Sequence, residues 1–195
     1  MCSDPKTIAI VAMGYSLMLG RWGEEIDSHD IVVRVNNLKK GLKKETTGLR
    51  TDIVISNFSK YGDIDQPEGA LLWSTRPQDA DRLYPEIYRL PSGNIRFFDN
   101  VLSIERELRG LGNAGVDEPY SPSTGIIAID IIEKEFPTAK IYIYGFDFYG
   151  YEKPYCYEDD RADVFTHEDH PIKIEKLYLE KLIRKYPRIH WVRPA

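Results

Sequence analysis

The sequence predicts an α/β fold in which helices cover a mostly parallel β-sheet. Two observations support this prediction. Short apolar runs alternate with helix-length segments of mixed polarity, and runs such as IVVRV and KIYIY are rich in the β-branched and aromatic residues of buried strands. That alternation is typical of parallel sheets, whose strands are joined by helices. A chain of 195 residues can bury a single core, so we expect residues 1–195 to form one domain.

The apolar runs place seven strands, and the longer periodic segments place three helices. The strands are expected at Thr7–Met13, Asp30–Asn36, Asp52–Asn57, Ala70–Ser74, Ile95–Phe98, Lys140–Tyr144 and Ile189–Val192. The helices are expected at Asn100–Leu111, Thr124–Phe136 and Pro171–Tyr186. Ser123 is expected to cap the second helix. In the third, helical spacing predicts a core-facing stripe of Ile174, Leu177, Leu182 and Ile183.

Composition and charge limit the classes of function that this chain can have. Hydrophobic residues make up 42% and charged residues 29%, which is typical of a folded globular protein. A net charge of -5 provides no basic surplus for neutralising phosphates, which excludes a general nucleic-acid binder. The two cysteines, Cys2 and Cys156, and the lack of a signal-peptide pattern or a run of about 20 apolar residues predict a soluble, cytoplasmic protein. Peripheral membrane association and the oligomeric state are left open.

Polar residues and one glycine lie at the carboxyl ends of four of the predicted strands. They are Gly14 and Ser16, Asn36 and Asn37, Ser56 and Asn57, and Asp147 after the YIYG run. A single Asn at a strand end is usually a turn former, but ligands bind beyond the carboxyl ends of parallel strands, so the set predicts a small-molecule site. The loop AMGYSL matches neither GxGxxG nor GxxxxGK[ST], which excludes an NAD site and a P-loop.

The PSTG turn at Pro122–Gly125 leads into the second predicted helix. Backbone amides at a helix start, together with two hydroxyls, suit an anion or a sugar phosphate. The alternative is a plain helix cap.

The loop beyond the YGFDFY run contains four tyrosines, Tyr149, Tyr151, Tyr155 and Tyr157. They are either packing residues or donors to the phosphate of a departing nucleotide. Near them, His170 is the best general-base candidate, because histidine titrates near neutral pH.

His167 and His170 form a His-x-x-His pair. Such a pair suggests a metal site, with Glu168, Asp169 or Asp159–Asp160 as further ligands. The pair does not match HExxH, so we expect no metal. We interpret Cys156 as a structural residue and not as a nucleophile.

Three segments together resemble the CMP-sialic-acid-dependent sialyltransferases from Thr7 to about Leu182. TIAIVAMGYSL followed by GEEIDSHDIVVRVN is similar to the family's long motif. YSPSTGIIAIDIIEKEF followed by KIYIYGFDFY is similar to its short motif, and HPIKIE matches its His-x4-Glu motif. The GFDFY strand end also resembles the smaller bacterial members. The resemblance implies a single Rossmann-like domain, a compact variant of the GT-A type.

The resemblance also implies a reaction and roles for the candidate residues. A sialic acid, or a related ulosonic acid such as Kdo, would pass from CMP to a sugar hydroxyl of a glycan or glycolipid, with inversion and without a metal or other cofactor. His170 would deprotonate the acceptor, and Tyr155 and Tyr149 would hold the CMP phosphate. The catalytic candidates are His170, Tyr155, Tyr149 and His167. The nucleotide-sugar candidates are Gly14, Ser16, Asn36, Asn37, Asn57, Ser123, Thr124, Gly125, Gly145, Asp147 and Tyr157.

Three departures from the family pattern qualify these expectations. Ala12, Met13 and Gly14 stand where the family has an Asn, the cysteines that join the two motifs in animal enzymes are missing, and the chain is shorter than most family catalytic domains. The missing cysteines agree with a microbial or viral origin. Two alternatives therefore stay open: a transferase that uses another nucleotide sugar, such as a UDP or GDP donor, and a degenerate nucleotide-sugar-binding module.

Overall fold

One parallel sheet of seven strands organises the chain. The computed structural model describes residues 4–36, 42–57, 69–75, 95–99, 101–111, 122–148, 150–151, 156 and 172–194. The strands are β1 (Thr7–Val11), β2 (Ile31–Val35), β3 (Ile53–Ser56), β4 (Leu71–Ser74), β5 (Ile95–Phe97), β6 (Lys140–Tyr144) and β7 (Ile189–Trp191). Their order across the sheet is β5-β4-β3-β2-β1-β6-β7, and each neighbouring pair is parallel.

All seven predicted strands are confirmed, six of them one or two residues shorter than expected. The polar residues at their ends belong to the loops. Asp30 precedes β2 and accepts hydrogen bonds from the backbone N–H groups of Lys6 and Thr7 at 2.7 and 2.9 Å. Asn36 follows β2 with φ of 59°, a left-handed conformation that ends the extended backbone.

Helices cover both faces of the sheet. The predicted helices are confirmed as α2 (Val101–Leu111), α3 (Thr124–Glu135) and α4 (Ile172–Lys185), and they pack on one face. The other face carries a 3₁₀ turn, Tyr15–Leu19, and a short helix, α1 (Gly23–Ser28), neither of which was predicted. Both are too short for a helical period to show in the sequence. Among the described residues, no helix is long and apolar enough to cross a membrane.

The predicted core face of α4 is partly wrong. Leu177 is 48% exposed, whereas the buried stripe consists of Glu175, Tyr178, Leu179 and Leu182. These four positions follow the i, i+3, i+4, i+7 spacing of one helix face. The hydrophobic pattern alone misplaces the stripe because one of its members is a charged residue.

A hydrogen-bonded chain of His29, Tyr144 and Glu25 lies on the α1 face. The Tyr144 hydroxyl donates to Glu25 Oε1 at 2.8 Å and lies 3.0 Å from His29 Nε2. Because the Tyr144 hydroxyl donates its proton to Glu25, its oxygen is the acceptor for His29. This arrangement suits a neutral His29 that carries its proton on Nε2. Burial lowers the pKa of His29 and raises the pKa of Tyr144, so both groups stay uncharged near neutral pH.

The strand order creates one switch point, between β1 and β6. From β1 the chain builds outward to β5, and it then returns to the other side of β1 with β6. The loops that follow β1 and β6 flank this switch point, and we call the region that they border the crevice. In open α/β sheets this is where ligands bind.

Candidate functional site

The crevice at the switch point is closed at its base by two glycines. The backbone N–H of Gly14, after β1, donates to the carbonyl of Gly145, after β6, at 2.9 Å. A Cβ on Gly14 would lie 2.4 Å from that carbonyl oxygen and 2.5 Å from the Asp147 carboxyl. Gly145 has φ of 71°, which favours glycine. Gly14 and Gly145 thus allow the two loops to touch backbone to backbone.

Asp147 braces the same two loops. Its carboxylate accepts the Ser16 backbone N–H at 2.7 Å and also the Ser16 hydroxyl. Burial raises the pKa of Asp147, and the two bonds from Ser16 oppose that shift. The structure therefore gives both predicted donor-binding residues a partner within the protein. Direct contact of either with a donor stays a prediction.

The ends of β2 and β3 extend this edge of the sheet. Asn36 follows β2, and its backbone N–H donates to the carbonyl of Ile55 in β3 at 2.8 Å. The Ser56 hydroxyl donates to Asn36 Oδ1 at 3.4 Å, and Asn57 comes next in the chain. Because β3, β2, β1 and β6 are parallel neighbours, these residues share one edge with Gly14 and Asp147, as the sequence predicted.

The PSTG turn is joined to α4 by a buried carboxylate. The Ser123 backbone N–H donates to Glu175 Oε1 at 2.6 Å, and its hydroxyl donates to Glu175 Oε2 at 2.8 Å. Glu175 is only 3% exposed. The prediction that Ser123 caps this helix is confirmed for its position: Ser123 is the N-cap residue of α3, although its side chain makes no cap hydrogen bond. The hydroxyl instead donates to Glu175, and a hydrogen bond to a charged acceptor is stronger than one between neutral groups.

Gly125 lets the start of α3 pack tightly beneath the end of β6. A Cβ on Gly125 would lie 2.8 Å from Cε1 of Phe146, the second residue after β6. Thr124 is buried beside it. The first amides of α3 have no intrahelical acceptor and therefore present donors at the crevice edge. Four segments frame the site: the β1 and β6 loops, the start of α3 and the first turn of α4.

Six predicted site residues, Asn37, Tyr149, Tyr155, Tyr157, His167 and His170, lie outside the described residues. The same is true of the residues that the sequence suggested as metal ligands, namely Glu168, Asp169 and Asp159–Asp160. Within the described ranges there is no group of three or more His, Cys, Asp or Glu that could hold a metal.

Cys156 is described and buried, with its backbone N–H donating to the Met13 carbonyl at 2.8 Å. Burial raises the pKa of its thiol to about 11, so it stays protonated and unreactive at neutral pH. This agrees with the structural interpretation.

Sequence reasoning missed Arg34, which is 2% exposed on β2. Its Nε and Nη2 donate to the Arg50 carbonyl at 3.0 and 2.8 Å, and its Nη1 donates to the Thr47 carbonyl at 2.9 Å. Burial lowers its pKa to about 10, which leaves it charged, with Asp27 3.9 Å away. The arginine anchors the segment before β3 to the end of β2, just below Asn36. The available signal was a charged residue inside the otherwise apolar run IVVRV.

Comparisons with known proteins agree with the resemblance seen in the sequence. The chain is 25% identical over 207 aligned residues to a type 2 lactosamine alpha-2,3-sialyltransferase of Mus musculus. The alignment covers 92% of this chain and 63% of that protein, so the chain spans about three fifths of the relative's length. No protein-family model matches the chain.

Solved sialyltransferases share the fold. The sialyltransferase CstII from Campylobacter jejuni, in complex with cytidine-5'-monophosphate, superposes with a TM-score of 0.65 at 15% identity, covering 100% of this chain and 82% of that one. A mammalian sialyltransferase in complex with Gal-beta-1-3GalNAc-ortho-nitrophenol gives a TM-score of 0.63 at 16% identity, covering 98% and 70%. The similarity to sialyltransferases and the Rossmann-type, GT-A-like fold are thereby confirmed.

Proposed function

We propose that this chain, with the fold of sialyltransferases and a sequence similar to one of them, is an inverting glycosyltransferase. It transfers a sialic acid, or a related ulosonic acid such as Kdo, from a CMP donor to a sugar hydroxyl. The acceptor oxygen bonds to the anomeric carbon as the bond from that carbon to the CMP phosphate breaks. The acceptor's proton passes to a general base, and CMP leaves with the bonding electrons.

One observation carries this proposal: the Ser123–Glu175 contact joins two of the three family-like segments at the switch point. His170 opens the His-x4-Glu segment that ends at Glu175, the residue that contacts the start of α3. The donor's phosphate would lie on the first amides of that helix. We assign the base role to His170 on this ground.

We assign the remaining candidates as the sequence suggested them. Tyr155 and Tyr149 hold the phosphate, Tyr157 contributes to the donor site, and His167 supports His170 in catalysis. Asn36, Asn37 and Asn57 face the donor or acceptor from the β2 and β3 ends. Gly14, Ser16, Gly145 and Asp147 shape the floor, and Ser123, Thr124 and Gly125 form the phosphate edge. We further propose that the chain is one domain, acts in the cytoplasm and needs no metal.

The test is mass spectrometry of CMP release and glycan product. CMP-Neu5Ac and CMP-Kdo are the two donors, and type 2 lactosamine is the first acceptor because the mouse relative is named for it. His170→Ala should lower turnover by about 10²–10⁴-fold, the usual contribution of a general base. His190→Ala is the matched control, since His190 is exposed on β7. Turnover that survives His170→Ala would contradict the base assignment.

Calorimetry with CMP, UMP and GMP separates the alternatives. Tighter binding of UMP or GMP would indicate a different nucleotide-sugar donor. CMP binding without release of CMP from either donor, even with excess acceptor, would indicate a binding module. The second outcome would fit the Ala12–Gly14 loop, which lacks the family's Asn.

A further inference from the structure

The outer face of α4 is almost entirely basic. Its exposed positions are Lys173, Lys176, Leu177, Lys181, Arg184 and Lys185. At 3.6 residues per turn they fall within one arc, opposite the buried stripe that begins at Glu175. One acidic residue of α4, the half-buried Glu180, also lies on this side. We call these six exposed residues the basic face.

The basic face runs against the charge of the whole chain. α4 contains five Lys or Arg residues and two Glu residues, hence a formal charge of +3, while the whole chain carries -5. The rest of the chain therefore carries -8. The positive charge of α4 therefore contrasts with that of the rest of the chain, and a charged patch can orient a protein toward a surface of opposite sign.

Helix α2 extends the surface beside the basic face. Lys181 Nζ lies 3.8 Å from Glu107 Oε2, which links the two helices and partly neutralises that point. Beyond it, α2 exposes Arg106 and Leu102, the latter by 67%. Arg109 is paired with Glu105 inside α2 and adds little. The combined surface thus offers cations around two exposed leucines, Leu102 and Leu177.

The two leucines lie toward the candidate site. Leu102 is the second residue of α2, which follows the end of β5, and Leu177 lies in the second turn of α4, just past Glu175. Both helices start at the edge of the sheet where the strands end. Each leucine therefore lies in the half of its helix that is nearer this edge of the sheet.

We propose that the basic face docks the protein onto an anionic lipid surface. A cluster of four to eight Lys or Arg residues on an amphipathic helix is the composition that binds anionic headgroups. Exposed leucines add an apolar contact with the headgroup region. The commitment to lipid rests on charge complementarity together with the two exposed leucines, since a soluble polyanion would gain nothing from the leucines. One consequence rests on the proposed function: a lipid-held acceptor would be presented beside the crevice.

The experiment is co-sedimentation with vesicles of phosphatidylcholine, with and without about a third phosphatidylglycerol, at low and high salt. We expect binding to the anionic vesicles alone, weakening as salt rises. Reversing Lys176, Arg184 and Lys185 to Glu should weaken binding at least ~100-fold, because each cation near such a surface contributes about fivefold. Changing the same three to Gln should give a smaller loss. Leu102→Ser with Leu177→Ser should weaken binding several-fold at every salt concentration.

The matched control reverses Arg21, Lys44 and Lys140, three exposed cations outside α2 and α4. It has the same net charge as the face variant and should keep most of the vesicle binding. Equal losses in the two variants would overturn the proposal, because the effect would then come from net charge alone. No binding to anionic vesicles at low salt would overturn it too. Heparin binding that the face variant loses, with vesicle binding unchanged, would point to a soluble polyanion instead.

This test is independent of catalysis. Vesicle binding needs neither donor nor acceptor, so it is measured even if the chain transfers no sugar. Conversely, turnover of a CMP donor with soluble lactosamine should be the same in the face variant and in the unaltered chain. Circular dichroism of each variant checks that the fold is retained.

Discussion

The Ser123–Glu175 contact gives the most informative stability prediction. Ser123→Ala removes the hydroxyl that donates to Glu175 Oε2 at 2.8 Å and leaves the backbone N–H bond to Oε1 in place. The change is conservative, since Ser123 makes no side-chain cap hydrogen bond to α3 that would be lost with it. What disappears is one hydrogen bond to a carboxylate that is 3% exposed.

The expected loss follows from the charge and burial of the acceptor. A hydrogen bond to a charged group contributes about 1.5–3 kcal/mol to the free energy of unfolding. For a domain of this size each kcal/mol corresponds to about 2–4 °C in Tm, so Tm should fall by about 3–12 °C. Ser28→Ala is the control, because the Ser28 hydroxyl bonds an exposed backbone carbonyl, that of Glu25, at 2.7 Å. Its loss should stay within about 0.5 kcal/mol.

The assay is urea unfolding of four chains: unaltered, Ser123→Ala, Glu175→Gln and the double variant. We expect a coupling energy of about 0.5–3 kcal/mol, as for residues in direct contact. Ser123→Ala should also raise the KM for the CMP donor more than it lowers kcat, if the turn forms the phosphate edge. Additive effects in the cycle, or a Ser123→Ala loss no larger than that of Ser28→Ala, would refute the reasoning.

Three further predictions concern other buried features. Gly14→Ala places a Cβ 2.4 Å from the Gly145 carbonyl oxygen and should cost about 1–3 kcal/mol. A Cβ on Gly110 would meet no atom within 4 Å, so Gly110→Ala should stabilise α2 by about 0.5–1 kcal/mol. Urea unfolding in which Gly14→Ala is the more stable of the two variants would contradict both predictions. Arg34→Lys keeps the charge but loses the guanidinium group that donates to two backbone carbonyls. We expect the free energy of unfolding to fall by about 2–4 kcal/mol in the same assay. A loss under about 1 kcal/mol would argue against the anchoring role of Arg34. Because burial lowers the pKa of His29 below 6.5, the unfolded chain takes up a proton there first, and stability present above pH 6.5 falls as pH drops below it. His29→Gln should flatten that fall below pH 6.5, and an unchanged slope would speak against this origin.

The fold could be predicted from the sequence because its parallel strands are continuous apolar runs. IVVRV and KIYIY are buried from both sides of the sheet, so their composition alone marks them. The 3₁₀ turn and α1 could not be predicted in this way. They are short, and they are held by contacts to distant segments, such as the Gly23 N–H bond to the Glu45 carbonyl at 3.1 Å.

The candidate site could be predicted as a list of residues but not as a set of contacts. Asn36, Asn57 and Asp147 share an edge because parallel strands end together, and that rule needs no coordinates. The partner of Asp147 is Ser16, 131 positions away. Such a pairing depends on which loops meet at the switch point, and therefore on the strand order.

By itself, the sequence determined the seven strands, the three long helices and the resemblance to sialyltransferases, because apolar runs and motifs are local properties of the chain. Tertiary structure alone decided that β6 lies beside β1, that Glu175 points inward to Ser123, and that Arg34 is buried beneath the β2 end. From the sequence alone, a charged side chain is expected at the surface, because burying a charge without partners costs free energy. Only the fold shows that the partners are there, supplied by residues 52 positions away for Glu175 and by nearby loop carbonyls for Arg34.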